Sequence, residues 1–318
     1  MTAVEAAVIL AVAASFCTAT ASVCQRLGAR QSEVTGFDPR LILRLVRRPV
    51  WLAGIASMIA GFGFQVSALH FGPLALVQPM LALELPLVFG YMTVIGSRAT
   101  VKRRDWLAAA AMSIGLGLFL GVAAPSGGRL HAPGSLWWLA GLITAAAVLG
   151  VLALTVVPVW RGRATRSRRA ALLGAATGIC WGFEAAVIKE FSSHLSDGLG
   201  AIVSNWSLYV LVGGGALTML LASHAMAAGP LAASQPGFTI LDPLAATVLG
   251  LFLFSEHIRT GILDLFGEAL ALALLIAGVS VLSHSHLITG EDSSPSTRPA
   301  DLRRRWGAKV RANPARHP

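Results

Sequence analysis

Nine stretches of roughly 20 apolar residues, separated by short polar connections, constrain this chain more than any other feature. A helix of about 20 residues covers the ~30 Å hydrocarbon core of a bilayer. An open strand there leaves backbone groups unpaired, so each stretch reads as a helix. The stretches run over Val4–Gln25, Val50–Leu69, Leu74–Ile95, Trp106–Ala123, Leu136–Trp160, Ala170–Ile188, Leu199–Ala222, Leu231–Phe254 and Ile262–Ser283. The expected fold is all-α, a polytopic membrane bundle of about nine transmembrane helices. Composition agrees: only 13% of residues are charged, against roughly 25% in a soluble domain. A pI near 10.9 would suit a nucleic-acid binder. The basic residues do not gather in one domain, however, so nucleic acid is excluded and the lipid bilayer is the expected surrounding.

The basic residues instead set the orientation. The connections after stretches one, three and five, with the C-terminal tail, hold 22 of the 25 Lys and Arg residues. The other side of a nine-span chain has only Arg129, Lys189 and Arg259. This bias places the N-terminus outside, the C-terminus in the cytoplasm and the protein in the plasma membrane. No Lys or Arg precedes the first stretch, so it is not a secretory signal and is expected to be retained. Cys17, Cys24 and Cys180 lie within apolar stretches without disulfide or metal spacing.

One phrase occurs twice. Gly72-Pro73-Leu74-Ala75-Leu76-Val77-Gln78-Pro79 returns as Gly229-Pro230-Leu231-Ala232-Ala233-Ser234-Gln235-Pro236, identical at six of eight positions and offset by 157 residues. Pro86 and Pro243 extend the match. Stretches three and eight enter from opposite sides, so the halves read as inverted repeats. Residues 1–160 form the first repeat, with five helices, and 170–285 the second, with four. Residues 161–169 are a basic cytoplasmic linker and 286–318 a disordered basic tail. Proline-interrupted helices in corresponding positions of two halves mark the binding site of many transporters. Pro73, Pro79, Pro86, Pro230, Pro236 and Pro243 are the expected helix-breaking residues. The interior ones free carbonyls four residues earlier, Pro86 freeing that of Ala82. Between stretches one and two, Asp38–Arg48 has the pattern of a short amphipathic helix at headgroup level.

Intramembrane carboxylates are the strongest candidates for chemistry. Each costs roughly 2.5–3.5 kcal/mol at the bilayer centre unless paired, protonated or wetted. Glu84 and Asp242 lie near the middle of stretches three and eight, and Glu184 lies in stretch six. Gln78 and Gln235 occupy equivalent positions of the repeat. With Gln65, Asn205 and Trp181 these form the expected substrate-binding set. Each also has a plainer reading, as a group tying helices together. Asp264 and Glu268 suit a helix start, Lys189 and Glu190 a membrane interface, and Gly213-Gly214-Gly215 close helix packing. The histidines make no zinc spacing, and no Walker A pattern is present. No cofactor, metal site or catalytic residue is expected, and the chain does not read as an enzyme.

These features resemble the drug/metabolite transporter superfamily. The second half carries the resemblance best, through Gly229-Pro230-Leu231-Ala232, the glutamate-bearing Phe254-Ser255-Glu256-His257-Ile258, Gly267 and Ala277-Gly278-Val279. The corresponding Gly96-Ser97-Arg98 of the first half lacks the glutamate. Nine spans, Ala68-Leu69-His70-Phe71-Gly72-Pro73 and Lys189-Glu190 are similar to the NIPA-type magnesium transporter-like branch. The resemblance implies a secondary carrier working by alternating access. Its substrate would be a small metabolite or drug, with Mg²⁺ as the alternative. A membrane-embedded enzyme and a non-transporting partner subunit rank lower, and association as a homodimer stays open.

Overall fold

A computed structural model describes residues 2–30, 49–94, 102–160, 166–229 and 231–284. Pro230, the Asp38–Arg48 segment and the tail from 286 onward lie outside these residues. Among the described residues eleven α-helices follow in order: α1 (Ala3–Arg30), α2 (Pro49–Phe71), α3 (Leu74–Leu81), α4 (Glu84–Val94), α5 (Arg103–Ala123), α6 (Gly134–Trp160), α7 (Arg166–Ser193), α8 (Leu199–Ser204), α9 (Trp206–Ala228), α10 (Leu231–Phe254) and α11 (Ile262–Ser283). Strands β1 (Ser126–Gly127) and β2 (Glu256–His257) pair antiparallel, Ser126 opposite His257. Among the described residues, nine helical segments are long and apolar enough to cross a membrane, with α3 and α4 forming one of them. This is the layout of a multi-pass membrane protein. Large apolar side chains such as Trp138, Leu263 and Phe266 point away from the protein, as lipid contact requires.

Three boundaries differ from the sequence expectation. The third span is not continuous, because α3 stops at Leu81 and α4 starts at Glu84. Leu199–Ser204 is a separate short helix, and Asn205 starts α9. The last residues assigned to the linker, Arg166 to Arg169, already belong to α7, and 161–165 lie outside the described residues.

The bundle is assembled on α7, whose 28 residues span about 42 Å at 1.5 Å per residue. Along one face run Gly174, Gly178 and Gly182, each four residues from the next, and α10 lies directly against them. A Cβ on Gly174 would stand 2.4 Å from the Ser234 carbonyl oxygen, and one on Gly178 2.4 Å from that of Gly237. One on Gly182 would stand 2.7 Å from the Asp242 carbonyl oxygen. Small residues at this spacing let helix backbones touch where no hydrophobic effect drives association. The α5–α11 pair repeats the device. A Cβ on Gly115 would come within 2.9 Å of Ala271 backbone, and one on Gly278 within 2.7 Å of Ala108 backbone.

The two copies of the repeated phrase lie at opposite ends of α7. The Gly72 carbonyl accepts from Lys189 Nζ, near its C-terminal end. Gly229 packs on Arg166, its first residue. The connections after α2, α5, α7 and α10 meet at the Lys189 end, through Leu74 with Glu256, Ala132 with Glu190 and His70 with Ser192.

Adding a methyl group at Gly178 is therefore expected to force α7 and α10 apart. Gly178→Ala should destabilise by roughly 1–3 kcal/mol, the usual cost of overpacking. Gly213→Ala, where a Cβ meets nothing within 4 Å, should stay within about 0.5 kcal/mol. Thermal unfolding of the detergent-solubilised variants checks both.

Candidate functional site

The site is bounded at one end by a buried ion pair. Ser255, with φ +53°, turns the chain after α10 so that Glu256 points inward from β2. Its Oε1 accepts from the Leu74 N–H at 2.6 Å and from Lys189 Nζ at 2.6 Å. Its Oε2 accepts from the Ala75 N–H at 2.9 Å. Pro73 occupies the N-cap of α3 and offers no side-chain cap. The first N–H groups of a helix need partners and favour negative charge, and Glu256 supplies both from across the fold. Lys189 also donates to the Gly72 carbonyl at 3.2 Å and lies 4.9 Å over the Phe254 ring. Both charged side chains are essentially inaccessible, at 3% and 0% exposure. Gly250 makes room for the carboxylate, since a Cβ there would stand 2.3 Å from Glu256 Oε2. Lys189 and Glu190, near the C-terminal end of α7, are both buried.

Next to this lock lies a cavity of about 960 Å³, at the upper end of the range typical of small-molecule sites. Its lining includes Ile188, one residue before Lys189, and continues along α9 from Leu211 to Met226 in that helix's last turn. On α10 it includes Gln235, close to the helix start. The cavity therefore extends from the lock toward the end of the bundle where Arg166 and Arg103 begin their helices.

Glu84, Asp242, Gln78, Gln235, Glu184, Gln65 and Trp181 all line this one cavity. Asn205 does not. Its side chain caps α9 by accepting from the Ser207 N–H at 2.8 Å, as Asn does at many helix starts.

The break in the third span explains how Glu84 is held. Ala82 and Leu83 form a turn whose N–H groups reach the Pro79 and Met80 carbonyls at 3.1 Å. Ser15 of α1 also donates to the Met80 carbonyl. Glu84 then opens α4 and so stands in the first turn of a helix inside the bundle, where negative charge is favoured. Ser22 of α1 donates to Glu84 Oε1 at 2.7 Å.

The prolines act differently from the expectation. Pro73 stands at the start of α3 and Pro86 in the first turn of α4, where Pro is tolerated, and the third span is broken between Pro79 and Pro86. The Ala82 carbonyl is not freed but accepts from the Leu85 N–H at 3.3 Å. Pro236 and Pro243 sit inside a helix that continues through both.

Glu184 is held from the opposite wall. Thr218 Oγ1 donates to its Oε1. A Cβ on Gly214 or Gly215 would lie 3.7 or 3.9 Å from its carboxylate. These are ordinary contact distances, and a Cβ on Gly213 would meet nothing within 4 Å, so the close helix packing expected for Gly213-Gly214-Gly215 does not occur among the described residues. Asp242 has its backbone against Gly178 and Gly182. Asp242 Oδ1 and Gln78 Nε2 are buried without a hydrogen-bond partner among the described residues. Asp264 accepts from the Gly261 N–H and caps α11.

No family model matches the chain, and no solved structure matches it. An uncharacterised protein of Corynebacterium glutamicum is 26% identical over 285 residues, covering 89% of this chain and 96% of that protein. The similarity therefore spans nearly the full length of both.

Removing one partner of the lock leaves the other charge buried and unmatched. Glu256→Gln should destabilise by roughly 3–5 kcal/mol. The double variant Lys189→Met/Glu256→Gln should recover part of that loss. Unfolding midpoints of the two variants beside wild type test this coupling.

Proposed function

We propose that this protein is a secondary carrier of the plasma membrane that moves a small metabolite or drug by alternating access. The observation that carries the reading is the cavity itself. A bundle with an apolar exterior encloses about 960 Å³ bordered by Glu84, Glu184, Asp242, Gln78, Gln235 and Gln65. Carboxylates at this depth are costly in lipid and recur where substrates or ions pass. Hydrogen-bonding groups that have no partner among the described residues, Asp242 Oδ1 and Gln78 Nε2, are suited to hold a polar solute.

The halves are read as inverted repeats with the N-terminus outside. What supports the inversion is that Gly72 and Gly229 meet α7 at its opposite ends, so the two copies start from opposite sides. The basic connections place the Arg166 end in the cytoplasm. In this reading the conformation faces inward. The Lys189–Glu256 pair and the capped start of α3 close the outer side, and the cavity leads toward the cytoplasm. Outward opening then requires that pair to part while the α7–α10 contact near Gly229 holds the inner end. The glycine-lined contact lets the two helices slide as a unit, and the α3–α4 break gives the first half a joint at the depth of the site.

Mg²⁺ is the second reading. It rests on the same three carboxylates, because Mg²⁺ takes oxygen ligands and keeps several of its waters.

Flux into proteoliposomes tests both readings. Uptake of a metabolite from a panel of small polar and amphipathic solutes, without Mg²⁺ flux, supports the first; Mg²⁺ uptake alone supports the second. Either way, Glu84→Gln and Asp242→Asn should each lower flux at least about tenfold, a loss of ~1.4 kcal/mol in the rate-determining barrier. Unchanged flux in both variants would show that the cavity carboxylates do not serve transport.

A further inference from the structure

We infer that the outer end of the bundle carries a transition-metal site, formed by His131, Glu190 and His194 and suited to Zn²⁺. One ligating atom of each of these residues lies within 4.8 Å of the other two. His131 comes from the connection between β1 and α6, Glu190 from the last turn of α7, and His194 directly follows that helix. The site is therefore assembled only when the two connections meet, which the fold fixes through the Ala132 N–H donating to Glu190 Oε2 at 3.1 Å.

Three further observations point to a ligand. The Glu190 side chain is fully buried, and its remaining oxygen, Oε1, is in ion-pair contact with His131 Nδ1. His194 Nδ1 meets Asp197 Oδ2 at 3.3 Å, while its Nε2 is buried with no hydrogen-bond partner among the described residues. A carboxylate on one imidazole nitrogen, leaving the other for the ion, is the arrangement that orients metal-bound histidines. The His131 and His194 rings meet edge to face with centroids 5.7 Å apart, and His131 is largely exposed, so an ion can enter from solvent.

Two imidazoles and one carboxylate form a donor set used by Zn²⁺, with a fourth position left for water or an outside ligand. Mg²⁺ and Ca²⁺ prefer oxygen donors alone, so this site is distinct in chemistry from the three-carboxylate cavity. It stands whether or not that cavity carries a transported solute. Occupied, it would clamp the β1–α6 connection to the end of α7, beside the Lys189–Glu256 pair.

The test is Zn²⁺ titration of the untagged, full-length protein in detergent after chelator treatment, read by calorimetry and by metal content after desalting. One Zn²⁺ per chain is expected, not displaced by excess Mg²⁺. Binding should also raise the unfolding midpoint. His131→Ala changes an exposed residue and should leave the fold intact while weakening binding at least about a hundredfold. Asp197→Asn should weaken it about tenfold to a hundredfold through loss of imidazole orientation. Failure of the folded wild-type protein to bind stoichiometric Zn²⁺ would overturn the site, as would undiminished affinity in both His131→Ala and Glu190→Gln.

Discussion

The Glu256 carboxylate is shared between an ammonium group and the first N–H groups of a helix, and the architecture depends on that sharing. Two charges removed from water are tolerated only when their remaining hydrogen-bonding capacity is met. Here Lys189 meets one carboxylate oxygen, and the Leu74 and Ala75 N–H groups complete the set. The contact joins α3, α7 and the segment after α10, elements far apart in the chain. It fixes the start of α3 and thereby the depth at which that helix ends and α4 begins. The position of Glu84 follows from it.

At the other extreme, α7 and α10 are held by the absence of side chains. Gly174, Gly178 and Gly182 bring the two backbones together, so that face of α7 has no volume to spare. The polar groups of the pair, Glu184, Gln235 and Asp242, reach a space bordered by α9 and by the broken α3–α4 span. Close packing on one side and a discontinuous helix on the other leave a cavity between them. Two of the carboxylates there have a particular support: a helix start and Ser22 for Glu84, and Thr218 for Glu184.

Much of this was legible in the chain. The apolar runs mark the nine helical segments that, among the described residues, are long and apolar enough to cross a membrane, since twenty apolar residues in a row have few other uses. The rarity of carboxylates and glutamines inside those runs singled out Glu84, Glu184, Asp242, Gln78, Gln235 and Gln65, which the structure brings to one cavity. What stayed hidden depends on distant partners. Lys189 and Glu256 each sit at the end of an apolar run, where an exposed interfacial charge reads the same as a buried one. The prolines pointed to breaks in both copies, yet only the third span is discontinuous, between Pro79 and Pro86, while α10 carries Pro236 and Pro243 without interruption. Asn205 looked like a site residue because a polar group within an apolar run and a helix cap have the same local sequence. His131 stands 59 residues before Glu190, so no spacing rule could join them.

The most direct test of the account is whether water reaches the cavity from the side of the basic connections. In a protein with Cys17, Cys24 and Cys180 replaced by Ala, single variants Glu84→Cys and Gln235→Cys are exposed to a membrane-impermeant maleimide in vesicles of defined orientation. The account predicts modification of both from the face bearing the basic connections, and protection from the face where Lys189 meets Glu256. Modification by a lipid-soluble maleimide alone, as expected for the outward-pointing control Phe266→Cys, would contradict it.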